Sequence, residues 1–511
     1  MRELHSEGAN MRHYFMHTLA CIFAGMILWG YAATASADEI ETPKSVAEEL
    51  LDILRAAGTI NDSQYGDLSE RAREEEAQRI EAAVEAAVAG ANEAVDEAVE
   101  TAALAAANAA PTPEPDPKDW KFKWSNGFKL NRNDGAFKLK FGGRIMSDWA
   151  MVDLNEPLEN AIGGEGHGTE FRRARLFFSG TVYERVIFKA QYDFANTGDG
   201  EVALKDAYIG LKDLGPVNSV LVGHQKEPFS LEERTSSKYI TFMERALPNA
   251  FSPGRNTGFT ADGTAADKRI YWQAGAFLDS NGSGFGFDDN GRWNLTGRLV
   301  GVPLYEDDGE EVVHLGFGYS HQFRGGSDFM LRYRRRPESH LAPYLANTGS
   351  TIPTNNINLI NPELAIVWGP ASFQAEYMGA FVNGDDGMKN TTFWGAYAQL
   401  SYFLTGERRN YQFGKGNFGR VKPKVNFNPA KGDWGGVEVG VRYSYLDLSD
   451  EFVRGGKMWD ITAGINWHLF PNTRVSLNYV HSELDNRLIS PDPDDVDGNA
   501  DIVQARFQLD F

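Results

Sequence analysis

Cysteine is nearly absent from this 511-residue chain, and the single one, Cys21, lies in a stretch that reads as a leader. The mature remainder can therefore form neither disulfides nor thiolate sites. Long apolar runs are missing too: after residue 37 none reaches the roughly 18 residues that define a membrane-spanning helix. No GxSxG elbow occurs, and the ten His residues form no HExxH or other ligand spacing. Hydrolase and metalloprotease chemistry thus have no footing, and neither an enzyme nor a cofactor is expected. The acidic loop SPDPDDVDGNAD (490–501) misses the EF-hand register, with Pro493 where the first aspartate belongs and Gln504 where the last glutamate belongs.

Positive charge is also scarce, but unevenly so. The net charge is −21, and residues 38–118 alone hold 20 acidic against 6 basic residues, a net of −14. Residues 1–37 are balanced, so the long remainder, 119–511, carries only −7. The acidity belongs to the N-terminal segment and leaves room for an anion site further on. Nucleic acid is not an expected partner.

Residues 11–37, MRHYFMHTLACIFAGMILWGYAATASA, have a basic start at Arg12 and His13, an apolar core and the small-x-small site Ala35-Ser36-Ala37. That is a secretory signal peptide, with initiation expected at Met11. Too little apolar sequence precedes Cys21 for a lipoprotein signal. Residues 38–110 then read as a periplasmic helical segment. KSVAEELLDILRAA (44–57) places Val46, Leu50, Leu51, Ile53 and Leu54 on one stripe. In 69–109, Val84, Val88, Ala91, Val95, Ala98 and Ala102 step by four and three, as in a weak coiled-coil seam. The Pro-rich stretch 111–119 is a stiff linker.

From Trp120 to Phe511 the period changes to two. In GVEVGVRYSY (436–445), Val437, Val439, Val441, Tyr443 and Tyr445 oppose Glu438, Arg442 and Ser444. The terminal DIVQARFQLDF alternates in the same way and ends on Phe511. Strands with one apolar and one polar face satisfy that period; helices do not. A soluble sandwich would alternate similarly. However, these segments run to about ten residues or more, and aromatics gather near their ends, as in tilted strands crossing a bilayer. A closed all-β transmembrane barrel is expected, because lipid leaves no partner for an open edge. Tight turns near 214–218, 304–311, 369–372 and 470–473 on one side, with longer loops near 150–168, 226–254, 324–357 and 485–500 on the other, allot about 16 antiparallel strands. That number encloses an aqueous lumen. Residues 405–432 make an overlong connection on the short-turn side that this pattern does not explain.

If the apolar face meets lipid, the polar face lines the pore. It carries Lys138, Lys140, Arg144, Arg173, Arg175, Lys189, Arg298, Arg442, Arg474 and Arg506, but also Asp193, Asp206, Glu438 and Asp460. In FMLRYRRRPESH (329–340), Arg332, Arg334 and Arg336 recur every second residue, which suits extended backbone presenting guanidinium groups on one side. A row of such groups can pass an anion along without one deep trap. The stretch 226–258 adds Arg234, Arg245 and Arg255.

The stretches FKLKFGGRIMSD, EFRRARLFFSG, LKDAYIGL, GHQKEPFSLEERTSSKYITFMERALPNAFSPGRNTGF, RYRRRPESH and YFLTGERRNY, with the terminal phenylalanine, resemble the phosphate-selective porin O/P family over about 120–511. The resemblance implies a homotrimer of 16-stranded outer-membrane barrels passing small anions, with the third and fifth loops as constriction. It implies that Arg172, Arg173, Asp206, Ser236, Ser237 and Arg245 line the anion site and that Arg332, Arg334 and Arg336 belong to an arginine ladder. Alternation alone points Arg172 toward lipid. Glu233 departs from the family pattern, which has a lysine three residues before the serine pair, and a carboxylate there would repel a dianion. A general or cation-leaning porin is therefore the alternative reading, as is a barrel whose N-terminal coil tethers the membrane to peptidoglycan.

Overall fold

The computed structural model describes residues 46–511, except most of 73–117 and short breaks at 126, 164–165, 196–201, 285, 287–291, 325–328, 350–351 and 489–494. The expected signal peptide, nearly all of the expected seam and all but the end of the expected linker lie outside the described residues. The chain divides into two compact units at Glu114/Pro115. In the first, helix α1 (Val46–Ala56) follows the apolar stripe read from sequence, and residues 62–72 are also helical.

The second unit is a closed antiparallel barrel of 16 strands. Its first half comprises β1 (Phe137–Leu154), β2 (His167–Val182), β3 (Val186–Asp193) and β4 (Ala203–Leu214), followed by β5 (Val217–Lys226), β6 (Arg255–Ala265), β7 (Ile270–Leu278) and β8 (Trp293–Glu306). The second half comprises β9 (Glu311–Phe323), β10 (Ile352–Trp368), β11 (Ala371–Gly384) and β12 (Thr391–Phe403), then β13 (Gly436–Asp450), β14 (Val453–Phe470), β15 (Thr473–Leu488) and β16 (Asp495–Asp510). Closure comes from β16 against β1, in register from Ala500↔Leu154 to Asp510↔Arg144.

Burial is inverted relative to a soluble protein. In β8, Trp293, Leu295 and Leu299 are exposed, whereas Asn294, Thr296 and Arg298, which alternate with them, are buried. The exposed apolar face is the one a bilayer covers, and the buried polar face lines the lumen. Among the described residues no helix is long and apolar enough to cross a membrane.

Two features were not legible beforehand. A hairpin, Trp120–Trp124 with Phe128–Arg132, precedes the barrel and pairs with β1 from Phe128↔Phe141 to Asn131↔Lys138. There β1 runs on past the end of β16, so the hairpin supplies the ladder partner that the terminal strand cannot reach. Phe511 fastens the junction, exchanging backbone hydrogen bonds with Gly143 (2.8 and 3.1 Å). The second feature is the 404–435 connection, which folds inward rather than hanging from the rim. Its tip, Tyr411–Gln412 against Asn417–Phe418, reaches the lumen wall. There the Tyr411 hydroxyl lies 2.7 Å from His314 Nδ1, and Gly416, in the left-handed region at φ 60°, gives its carbonyl to Arg298 (2.8 Å).

Candidate functional site

The loops after β5 and β9, residues 227–254 and 324–351, are the third and fifth on the long-loop side, and both fold into the barrel. The third is pinned to the opposite wall through its backbone. Leu231 and Glu232 donate N–H to Glu376 (3.0 and 2.8 Å), Met243 donates to Asn478 (2.9 Å), and Arg474 donates to the Ile240 carbonyl (2.8 Å). The fifth is held through Glu338, whose carboxylate accepts from Arg442, Ser444 and Thr462, while its N–H donates to Asp460 (2.8 Å). Arg442 joins the two loops, adding Glu232 (3.2 Å) and the Glu244 carbonyl (2.9 Å). Arg335 of the fifth loop donates to the Arg245 and Ala246 carbonyls of the third.

Between the third loop and the wall of β1 to β7 lies a cavity of about 240 Å3. Arg144, Arg173, Arg175, Lys189, Lys226, Arg234, Arg245 and Arg255 line it, and Asp206 is the one carboxylate among its lining residues. Ser236 and Ser237 line it as well. Five of the sequence-derived site residues therefore meet here: Arg173, Asp206, Ser236, Ser237 and Arg245. Strand parity had already placed Arg144, Arg175 and Lys189 on the lumen face, without marking them as site residues. Lys226 bears no such mark in the sequence, since a lysine at a strand end carries no periodic signal of its own.

The cations differ in how far they are neutralised. Asp206 takes Lys189 and Arg255 (2.8 Å), and Asp193 takes Arg175 (2.6 Å). Among the described residues Arg144 has no carboxylate partner; it donates to Ser237 (2.7 Å) and Ser236 (3.5 Å). Arg173 sits 3.9 Å from Glu244, contacts Met146 sulfur at 3.6 Å, and keeps its buried Nε unpartnered. The Gln225 amide nitrogen beside them is likewise unpartnered. These are donors without acceptors, which an anion would satisfy.

Arg172 corrects the alternation argument. The β1–β2 register slips between Met146 and Ser147, leaving Arg172 as the extra residue of a bulge. A bulge re-aims the side chain it carries. Arg172 accordingly grips the third-loop carboxylate of Glu244 through two bonds of 2.8 and 3.0 Å instead of facing lipid. It braces the loop and does not line the cavity.

Glu233 is not a free repelling charge. Burial would raise its pKa, but Arg245 (3.1 Å) and Lys226 (2.8 Å) outweigh that and bring it down to about 2. In the same loop, burial lowers Lys238 to about 7, against the opposing pull of Asp510 at 3.3 Å.

In the fifth loop, Arg334 and Arg336 lie over the Tyr344 ring at 4.1 and 4.5 Å, and Arg332 donates to Asn347 (3.0 Å). Arg332 and Arg334 are exposed, whereas Tyr333 between them is buried. The three do not join the 240 Å3 cavity.

A closed barrel with an apolar exterior, a charged lumen and inward-folded loops defines an aqueous channel of the bacterial outer membrane. The family described as phosphate-selective porin O and P matches residues 139–511, and the chain belongs to it. A Caulobacter vibrioides protein without an assigned function is 32% identical over 398 residues, covering 76% of both chains. Porin O of Pseudomonas aeruginosa is 28% identical over 424 residues, covering 75% of this chain and 92% of its own. Among solved structures, the anion-selective porin from Comamonas acidovorans covers 73% of this chain and all of its own at 12% identity, with a TM-score of 0.46.

Proposed function

We propose that this porin prefers anions, phosphate or a related oxyanion among them, and that the cavity beside the third loop is where they are selected. The observation that carries this reading is the imbalance of its lining, eight cationic side chains against one carboxylate. A low-dielectric lumen wall focuses that excess and raises the local anion concentration. Arg144 and Arg173, lacking strong carboxylate partners, are the groups assigned to hold the anion, with Ser236, Ser237 and Gln225 as neutral donors. Glu233, paired twice, reduces the positive charge without reversing it. Arg332, Arg334 and Arg336 are proposed as the approach from the long-loop side, and Arg245 as the next station inward. Trimeric assembly, and a periplasmic role for residues 38–110 at the cell wall, are further proposals resting on the family resemblance and the acidic helical composition.

The test is the reversal potential in a planar bilayer under a salt gradient, repeated with phosphate added to a chloride background. Anion selectivity with chloride current blocked by phosphate is the expected result. Selectivity without block would leave a general anion pore, and cation selectivity would end the proposal.

A further inference from the structure

We propose that the outer face of β10 to β13, at its short-turn rim, is a binding site for one anionic glycerophospholipid of the inner leaflet. Along that rim the outward residues alternate in size. Trp368 and Tyr402 are large, and Ala371, paired in register with both, is small. The result is a groove of about 560 Å3 lined further by Ile366, Phe373 and Leu400. These positions lie on the lipid-covered face, so the groove is continuous with the bilayer and suits an acyl chain rather than a solute. Trp368 and Tyr402, at the mouth, are the residue types that settle at the interface.

The polar end of the groove carries the complementary charge. Gly369, next after Trp368, donates its N–H to the Glu310 carbonyl (2.8 Å), and Arg408 bonds the Glu310 carboxylate (2.7 Å) while remaining one-third exposed. On the other flank, four residues beyond Tyr402, the Lys424 ammonium stands 2.7 Å from where a Cβ would sit on Gly406. Lys424 forms no ion pair among the described residues. The whole connection 404–435 holds seven Lys and Arg against two acidic residues. A phosphodiester at the rim thus meets cations at the height where its own chain would enter the groove.

The experiment is native mass spectrometry of the mature full-length chain, released from detergent after titration with palmitoyl-oleoyl phosphatidylglycerol or phosphatidylcholine. One retained lipid per chain is expected, with phosphatidylglycerol favoured about tenfold or more, since each basic residue near an anionic headgroup contributes roughly fivefold. Ala371→Trp should abolish retention by filling the groove. The double variant Arg408→Gln/Lys424→Gln should keep the lipid and lose the headgroup preference. Ala371→Trp should conduct as the parent does, because Ala371 lies on the outer, lipid-covered face. Equal retention of the two lipids by the parent, or unchanged retention by Ala371→Trp, would reduce the groove to ordinary boundary lipid and overturn the proposal. A changed protomer count in Ala371→Trp would assign the face to another copy of the chain and overturn it equally.

Discussion

Arg173 keeps a buried guanidinium nitrogen without a partner, whereas Arg175, two residues on, spends its charge on Asp193 at 2.6 Å. Parity in the sequence places both on the lumen face but cannot say which one a carboxylate has claimed, because that depends on strand register. Replacing Arg173 by Gln should weaken phosphate block about tenfold or more, the loss of one charged hydrogen bond worth about 1.5–3 kcal/mol. The inhibition constant for chloride current reads it directly; an unchanged constant would remove Arg173 from the site. Lys238 supplies a pH test. It is brought down to about 7 by burial, with Arg144 and Arg420 adding repulsion and Asp510 opposing them. Its proton is therefore lost as pH rises from 6 to 8, and anion selectivity should fall over that interval. Lys238→Arg should flatten the profile. Glu233, held near 2 by Arg245 and Lys226, stays ionised throughout and contributes nothing to that slope. Its stabilising effect is present above the unfolded carboxylate value of about 4.3 and is lost only as pH falls from there toward 2.

Strands announce themselves through a period of two, and the count of about 16 that it gives is the number the barrel has. Loops carry no such period. Their inward folding depends on contacts between residues far apart in the chain, such as Arg442 with Glu232 and Glu338, separated by 210 and 104 residues. The bulge that turns Arg172 inward is invisible for the same reason, since it exists only as a mismatch between two strands. Arg442 is the element-scale test. Its side chain is 1% exposed, as is that of Glu338, and Glu232 is 3% exposed. Arg442→Met would leave two buried carboxylates uncompensated, a cost of about 3–5 kcal/mol when one partner of a buried pair is removed. The third and fifth loops, both tied to that guanidinium, should loosen. Single-channel conductance should rise and phosphate block should weaken together. A variant with parental conductance would mean that the backbone pins to Glu376 and Asn478 suffice to hold the third loop.

At the scale of the molecule, bulk charge and the proposed anion preference point in opposite directions, and their separation along the chain resolves the conflict. The net −21 is mostly the −14 of residues 38–118, while the basic cavity is built wholly from residues beyond 143. Composition made this division legible before any fold was known; the seam-closing hairpin at 120–132 was not legible, because two five-residue strands are too short to establish a period. The two observations predict different outcomes for two truncations. Joining residues 1–37, which read as a signal peptide, directly to Asp119 removes the acidic unit and keeps the hairpin, so reversal potential and thermal midpoint should match the parent. Extending the deletion through Asn133 removes the partner of Lys138–Phe141 and exposes that part of the β1 edge. Unpaired backbone at a membrane boundary is costly, so the midpoint of heat-induced unfolding on gels should fall while ion selectivity persists. A shift in selectivity on removing 38–118 alone would mean that the acidic segment contributes to the field at the channel mouth, and the cavity could then no longer account for selectivity by itself.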